Sequence, residues 1–224
     1  MTKNVLIMAA NGQISRLVAT RLLSETEFSD VALTLFVRKA AQVADLQADA
    51  RVSVFEGSLD NLADVTKAIV GQDVVFVGVV DHSKDNLHTR KVITGMKQAG
   101  VQRVIYANVL GIYDEVPAEF GAWNRATISS GLPTAEKSDR LLVESGLDYT
   151  SLRIPWLNDR DVKYVITHKD EPYVGVSGSR KSIADVIVRI IADFDFLKNE
   201  SVGIADPETD GETRPVYSTS FVKD

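Results

Sequence analysis

Asn4-Val-Leu-Ile-Met-Ala-Ala-Asn-Gly-Gln-Ile-Ser-Arg-Leu-Val-Ala-Thr-Arg-Leu-Leu23 reads as strand, tight turn and helix. Residues 5–8 are a continuous apolar run of strand length, the pattern of a strand covered on both faces. A turn follows at residues 9–13, and then the period changes. Ile14, Leu17, Val18, Arg21 and Leu22 recur at helical spacing, an apolar stripe with Arg21 at its margin. A parallel strand feeding a helix through a glycine turn aims free backbone N–H groups and the positive end of the helix dipole at one spot, which suits phosphate. The three glycine positions of such a turn are here Ala9, Gly12 and Ser15. Alanine and serine are the smallest replacements, so backbone can still approach a pyrophosphate. An ordinary strand–helix turn without a ligand fits the same residues.

The rest of the chain extends this pattern. Residues 31–37 are a second apolar strand that ends in Arg38-Lys39. In a dinucleotide-binding unit that strand end faces the adenine ribose, where an acid would bind the 2′-hydroxyl of NAD. No acid stands there. A guanidinium at Arg38, with Lys39 as a second point charge, suits the 2′-phosphate of NADP, although a solvated basic pair is the plain alternative. Residues 40–48 suggest a short helix, 52–55 a third strand, and Asp60 or Asn61 a cap for a helix that turns Leu62, Val65, Ile69 and Val70 inward. Residues 74–80 form the most apolar segment, a central strand. A helix over 84–99 with Leu87, Val92 and Met96 inward, a strand at 103–109, a long connection over 111–132, a helix over 133–145 and a strand at 149–154 follow.

Strands alternating with helices in this way predict an α/β fold, a doubly wound parallel sheet. Beyond Pro155 the pattern loosens into short strands at 162–167 and 173–176, a helix opened by a Ser182-Ile-Ala-Asp185 capping box, and a last strand at 202–205. The expectation is one Rossmann domain over residues 1–224, with 155–224 supplying a small substrate-side lobe and a polar tail from Asp206 that packs as an extended segment or frays.

Composition excludes several classes. At 224 residues with 45% hydrophobic and 25% charged residues the chain is an ordinary globular one. A net charge of −6 and no Lys/Arg run argue against nucleic acid. No stretch approaches a membrane span, and the first apolar run, which ends at Ala10 and leads into the glycine turn, is too short and wrongly flanked for a signal peptide, so a cytoplasmic location is expected. The absence of cysteine removes disulfides, thiol nucleophiles and cysteine metal sites. His88 and His168 stand without a second ligand at helical or hairpin spacing, so no metal is expected.

Four segments, Met8-Ala-Ala-Asn-Gly-Gln-Ile-Ser15, Leu35-Phe-Val-Arg38, Gly71-Gln-Asp-Val-Val75 and the run from Glu136 to Arg153, together resemble the atypical short-chain dehydrogenase/reductase family with NmrA-like, NAD(P)-binding folds. The chain is also similar to small NADPH-dependent biliverdin IXβ/flavin reductases. The resemblance implies that Asn11, Gly12, Gln13 and Ile14 hold the pyrophosphate and Arg38 the 2′-phosphate. It implies further that Ser58 and Leu59 lie against adenine and that Val79 and Val80 line the ribose and nicotinamide side. Asn108 stands at a family serine position, Lys137 matches the lysine that bonds the nicotinamide ribose, and Pro155 lies in a turn near the carboxamide.

One departure bears on chemistry. The family tyrosine, four residues before the lysine, is here Pro133, which has no proton to give. Asn108 can orient a carbonyl but is no acid. The implied function is NADPH-dependent hydride transfer to a small flat or carbonyl-bearing acceptor, such as a quinone or flavin. The proton then comes from solvent or another residue, and the protein works as monomer or homodimer. A non-catalytic NADP sensor is the alternative. The space left by the tyrosine is expected to be lined by Asn108 and Trp123 or Trp156, which either stack on substrate or pack lobe against sheet. Asp81-His82 either relays a proton or caps the next helix.

Overall fold

Apolar residues that alternate between two buried surfaces explain why the first strand shows no polar face. In the computed structural model, which describes residues 2–217, Val5 and Ile7 of β1 (Lys3–Met8) enter one hydrophobic cluster and Leu6 and Met8 the other. The chain continues through α1 (Gln13–Ser24), β2 (Val31–Val37), β3 (Val52–Glu56), α2 (Leu62–Ile69), β4 (Val74–Val77), α3 (Leu87–Ala99) and β5 (Arg103–Val109). After these come α4 (Ala118–Thr127), α5 (Leu132–Val143), β6 (Asp148–Ile154), β7 (Trp156–Asn158), β8 (Val165–Thr167), β9 (Ser177–Ser179), α6 (Arg180–Ala192) and β10 (Glu200–Ala205).

The main sheet has eight strands in the order β3-β2-β1-β4-β5-β6-β10-β8, all parallel except the β10–β8 pair at one edge. Helices α1 and α6 cover one face around Val18, Leu22, Ile187 and Ile191, and α2, α3 and the end of α5 cover the other around Val65, Val92, Met96 and Leu142. This is the doubly wound Rossmann arrangement. Residues after Pro155 divide their work: β10, β8 and α6 complete the main sheet and its face, while β7 and β9 pair separately in parallel.

Several expected elements differ, each for a local reason. The segment after β2 is a tight 3₁₀ stretch, Ala40–Leu46, broken at Val43 (φ −130°, ψ 24°), rather than a helix to residue 48. Strand β4 ends at Val77, before the expected residue 80. Asn61 caps α2 by accepting from Ala63 and Asp64, but Val70 leaves the helix as its C-cap and is 62% exposed. Asp85 and Asn86 both adopt left-handed backbone, so α3 starts only at Leu87, which turns outward. The cap of α6 is Ser179, whose hydroxyl accepts from the Ser182 backbone, so the helix opens three residues before the expected box. Tyr173–Val176 is not a strand; the strand there is Ser177–Ser179. The tail holds a short 3₁₀ turn at Pro207–Thr209 with Asp206 as its cap, and residues 218–224 lie outside the described residues.

The expected long connection over 111–132 contains α4. Its inner face is Phe120, Gly121 and Asn124, and Gly121 is required by contact: a Cβ there would stand 2.0 Å from the Val116 carbonyl oxygen and 2.8 Å from its carbon. Backbone cannot retreat as a side chain can, so Gly121→Ala is expected to displace α4 and to cost about 1–3 kcal/mol. A urea unfolding curve checks this, and an unchanged midpoint would contradict it.

Candidate functional site

At the carboxyl ends of β2, β1 and β4 the sheet opens into a cleft of about 710 Å³. Its floor is the turn after β1, with Ala9, Asn11 and Gly12, and the segment Gly78–Val80 after β4. Phe36–Arg38 and Gly57–Asp60 form one end, and His82, Ser83 and His88 stand along the wall. Helix α1 starts at this floor with Gly12 as its cap and no side chain closing it, so its first N–H groups remain available to an anion.

The degraded glycine pattern keeps its backbone shape. Ala9 holds the left-handed conformation (φ 56°) that glycine adopts without cost, and Gly12 N–H donates to the Ala9 carbonyl at 3.0 Å. Ser15 is buried against the end of β4, where Gly78 makes room: a Cβ on Gly78 would stand 2.1 Å from Ser15 Oγ. The larger residue at the third position of the turn is thus matched by a glycine just past the end of the neighbouring strand.

Of the residues singled out in the sequence, Asn11, Gly12, Arg38, Ser58, Leu59, Val79 and Val80 line this cleft. Gln13 and Ile14 open α1 beside it, and Lys39 is exposed next to Arg38 but is not part of its wall. Asn108, Lys137 and Pro155 do not line it. Asn108 is fully buried; its amide donates to the Ala135 carbonyl at 3.0 Å and accepts from Val109 N–H at 2.9 Å, tying β5 to α5. Both ends of that amide are engaged inside the protein. Lys137 Nζ stands 3.9 Å from Asp85 on the loop before α3, and Pro155 is buried near Gly178.

The tryptophans pack rather than face the cleft. Trp123 and Trp156 meet with ring centroids 5.0 Å apart, and Trp156 Nε1–H donates to Asn124 Oδ1 at 2.9 Å, which locks α4 onto β7. Pro133 lies exposed at the start of α5. Asn108 and the two tryptophans are therefore not among the residues that line this cleft. Its wall instead uses Asp60, His82, Ser83 and His88. Asp60 and His82 were visible in the sequence as a candidate cap and a candidate relay; nothing in spacing brought His88 to the same wall.

Asp81 behaves as the cap. It is fully buried, with Oδ1 accepting from Ser83 N–H and Oγ–H and Oδ2 accepting from Thr89 N–H and Oγ1–H. Burial alone would raise this carboxyl; the hydrogen bonds from Ser83 and Thr89 outweigh it and hold the group below the usual carboxylate range. Thr89 also meets Ser138 at 2.7 Å and Tyr106 at 3.1 Å, and burial pushes the Tyr106 phenol far up. On the wall, His88 Nε2 lies 2.8 Å from Asp60, and this bond first, with help from Ser58, holds the exposed Asp60 carboxyl low. Among the described residues no group of three or more His, Cys, Asp or Glu could hold a metal, and no helix is long and apolar enough to cross a membrane.

A doubly wound sheet with an uncapped helix start and a cleft at the strand-order reversal defines a dinucleotide-binding protein. The chain belongs to the NAD(P)H-binding family, whose model matches residues 9–194. It is 32% identical to a Rossmann-fold NAD(P)-binding family protein from Shigella flexneri, across 97% of this chain and 100% of that one, with a TM-score of 0.78. A short-chain dehydrogenase/reductase from Veillonella parvula DSM 2008, solved in complex with NADP, is 26% identical across 94% of this chain and 97% of that one, with a TM-score of 0.84. ChuY, an anaerobillin reductase from Escherichia coli O157:H7, is 21% identical across 92% and 98% of the two chains with a TM-score of 0.76, a likeness of fold alone. No curated protein matches this chain. The fold is that of NAD(P)-binding oxidoreductases.

Because the Asp81 carboxyl is held low in the folded protein, its contribution is present above the unfolded carboxylate range and is lost as pH falls through the folded value. Asp81→Asn, which keeps the shape but not the charge, is expected to cost about 1.5–3 kcal/mol at neutral pH. That deficit should shrink as pH is lowered. Denaturant curves at neutral and acid pH check this, and a deficit independent of pH would contradict it.

Proposed function

We propose that the protein is an NADPH-dependent reductase of a small flat acceptor such as a quinone or flavin. The observation that carries the reading is Arg38, exposed at the end of β2 and lining one end of the cleft. Its guanidinium suits a 2′-phosphate, and the strand end carries no acid to bind the 2′-hydroxyl of NAD. In this reading Asn11 and Gly12, with the N–H groups of Gln13 and Ile14, hold the pyrophosphate. Ser58 and Leu59 hold the adenine, and Val79 and Val80 line the ribose. What the cofactor supplies when bound is a hydride. The protein's task is to hold the two rings in register, which is itself a large part of catalysis.

Lys137, on the second turn of α5, is proposed to move from Asp85 to the cofactor ribose. The pair is long, and both partners are accessible, so releasing it costs little. A second reading, a sensor that binds NADP without turnover, is favoured by Pro133, which places no proton donor where the related enzymes carry a tyrosine.

NADPH oxidation measured with menadione, flavin mononucleotide and benzaldehyde separates the two: turnover of the quinone or the flavin is expected, and silence across the panel would leave only the sensor. Arg38→Ala is expected to weaken NADP by roughly tenfold to over a hundredfold while leaving NAD unchanged. Calorimetry checks this, and equal losses for both cofactors would contradict the 2′-phosphate assignment. Lys137→Ala is expected to lower NADPH affinity at an unchanged melting temperature; unchanged affinity would remove the lysine from the site.

A further inference from the structure

The groups that line the cleft narrow the source of a proton. Arg38 stands at the end of the cleft proposed for the adenosine, away from the reacting ring. Asp60 is held ionised by its bond to His88, and His88 itself is spoken for, 2.8 Å from Asp60 and 3.7 Å from Asp81. The nearby acids and phenols are no better placed. Asp81 already accepts from Ser83 and Thr89, Tyr106 is fully buried, and Tyr113 donates to Asp139 away from the cleft.

His82 is different. It is exposed, lines the cleft, and has no hydrogen bond or ion pair among the described residues. It also stands at a defined place. The cleft runs from Arg38 at the end of β2, across β1, to the segment after β4 that carries His82. There the imidazole reaches the start of α5: a Cβ on Gly131, the cap of that helix, would lie 3.2 Å from His82 Cε1 and 3.5 Å from Nδ1. Gly131 leaves the ring its room. A dinucleotide whose adenine end is at Arg38 extends its reacting ring toward the β4 side, where His82 waits.

We propose that His82 is the proton donor of the reduction, an inference that rests on the reductase reading above. Hydride transfer oxidises NADPH to NADP⁺ and leaves a quinone acceptor as its hydroquinone monoanion. The imidazolium N–H bond then breaks and an O–H bond forms on that anion. His82 is left neutral and regains a proton from water through the open mouth of the cleft. Histidine is the side chain that can both carry and release a proton near neutral pH. The charged and titratable groups around it are Asp81, Lys84 and Asp85 on its own loop, Lys137 on α5, and Asp60 and His88 along the wall.

The test compares the wild type, His82→Gln and His82→Ala with menadione across neutral pH, and titrates each with NADP⁺. The chain has three histidines, so the imidazole Cε1–H signals can be assigned by substitution. Wild-type kcat is expected to fall as pH rises through the imidazole range. His82→Gln should lose about a hundredfold in kcat, become flat in pH, and keep its NADP⁺ affinity and menadione KM. Added imidazole should restore turnover to His82→Ala. The His82 signal should shift on NADP⁺ binding while that of His168, paired with Glu200 on the β8–β10 edge, stays still. A wild type that turns over menadione alongside a His82→Gln with the same kcat and pH profile overturns the proton-donor role and leaves the reductase reading standing. A His82 signal unmoved at saturating NADP⁺ also overturns that role. A wild type inactive with both menadione and flavin mononucleotide overturns the reductase reading and this inference together.

Discussion

Strand β1 is paired in parallel on both sides, with β2 from Lys3 to Met8 and with β4 from Val5 to Met8. Parallel neighbours require crossovers that carry the chain back to the starting edge, and right-handed crossovers send successive helices to opposite faces depending on the direction of winding. Helix α1 leaves β1 toward β2 on one face, whereas α2 returns from β3 toward β4 on the other. Neither connection can cover the carboxyl end of β1, so a crevice must open there. The cleft, the uncapped start of α1 and the position of Arg38 all follow from that pairing.

The alternation of strand-length apolar runs with helical stripes made the doubly wound sheet legible in the sequence, whereas the order of its strands comes from the structure. The continuous apolar runs of β1, β2 and β4 read as strands buried on both faces, and the helical stripes of α1 and α6 supply the cover of one face. The tight turn between β1 and α1 was legible as well, despite its missing glycines. Ala9 keeps the left-handed backbone, and Gly78, just past the end of β4, accommodates the side chain of Ser15. A pattern read along the chain sees the lost glycines; the compensation lies across the sheet.

What escaped has physical causes of the same kind. Helix α4 has a short inner face whose members are Phe120, Gly121 and Asn124, so its period is carried by a close backbone approach and a hydrogen bond to Trp156 rather than by apolar residues. Leu87 and Val70 turn outward because left-handed backbone and a helix end rotate them, which no hydropathy pattern reports. Asn108 carried a site residue's position but spends its amide joining β5 to α5. The cleft wall, with His82, Ser83 and His88, assembles from a loop and the next helix around the buried cap Asp81, and only three-dimensional packing joins those residues to Asp60.

The Arg38 end of this cleft is proposed to recognise a 2′-phosphorylated adenosine. Competition of 2′,5′-ADP and 5′-AMP against bound NADPH isolates that recognition from the nicotinamide, the acceptor and any turnover. 2′,5′-ADP is expected to displace NADPH at least about tenfold more tightly than 5′-AMP, the margin of one charge-assisted pair. Equal displacement by the two nucleotides would contradict it.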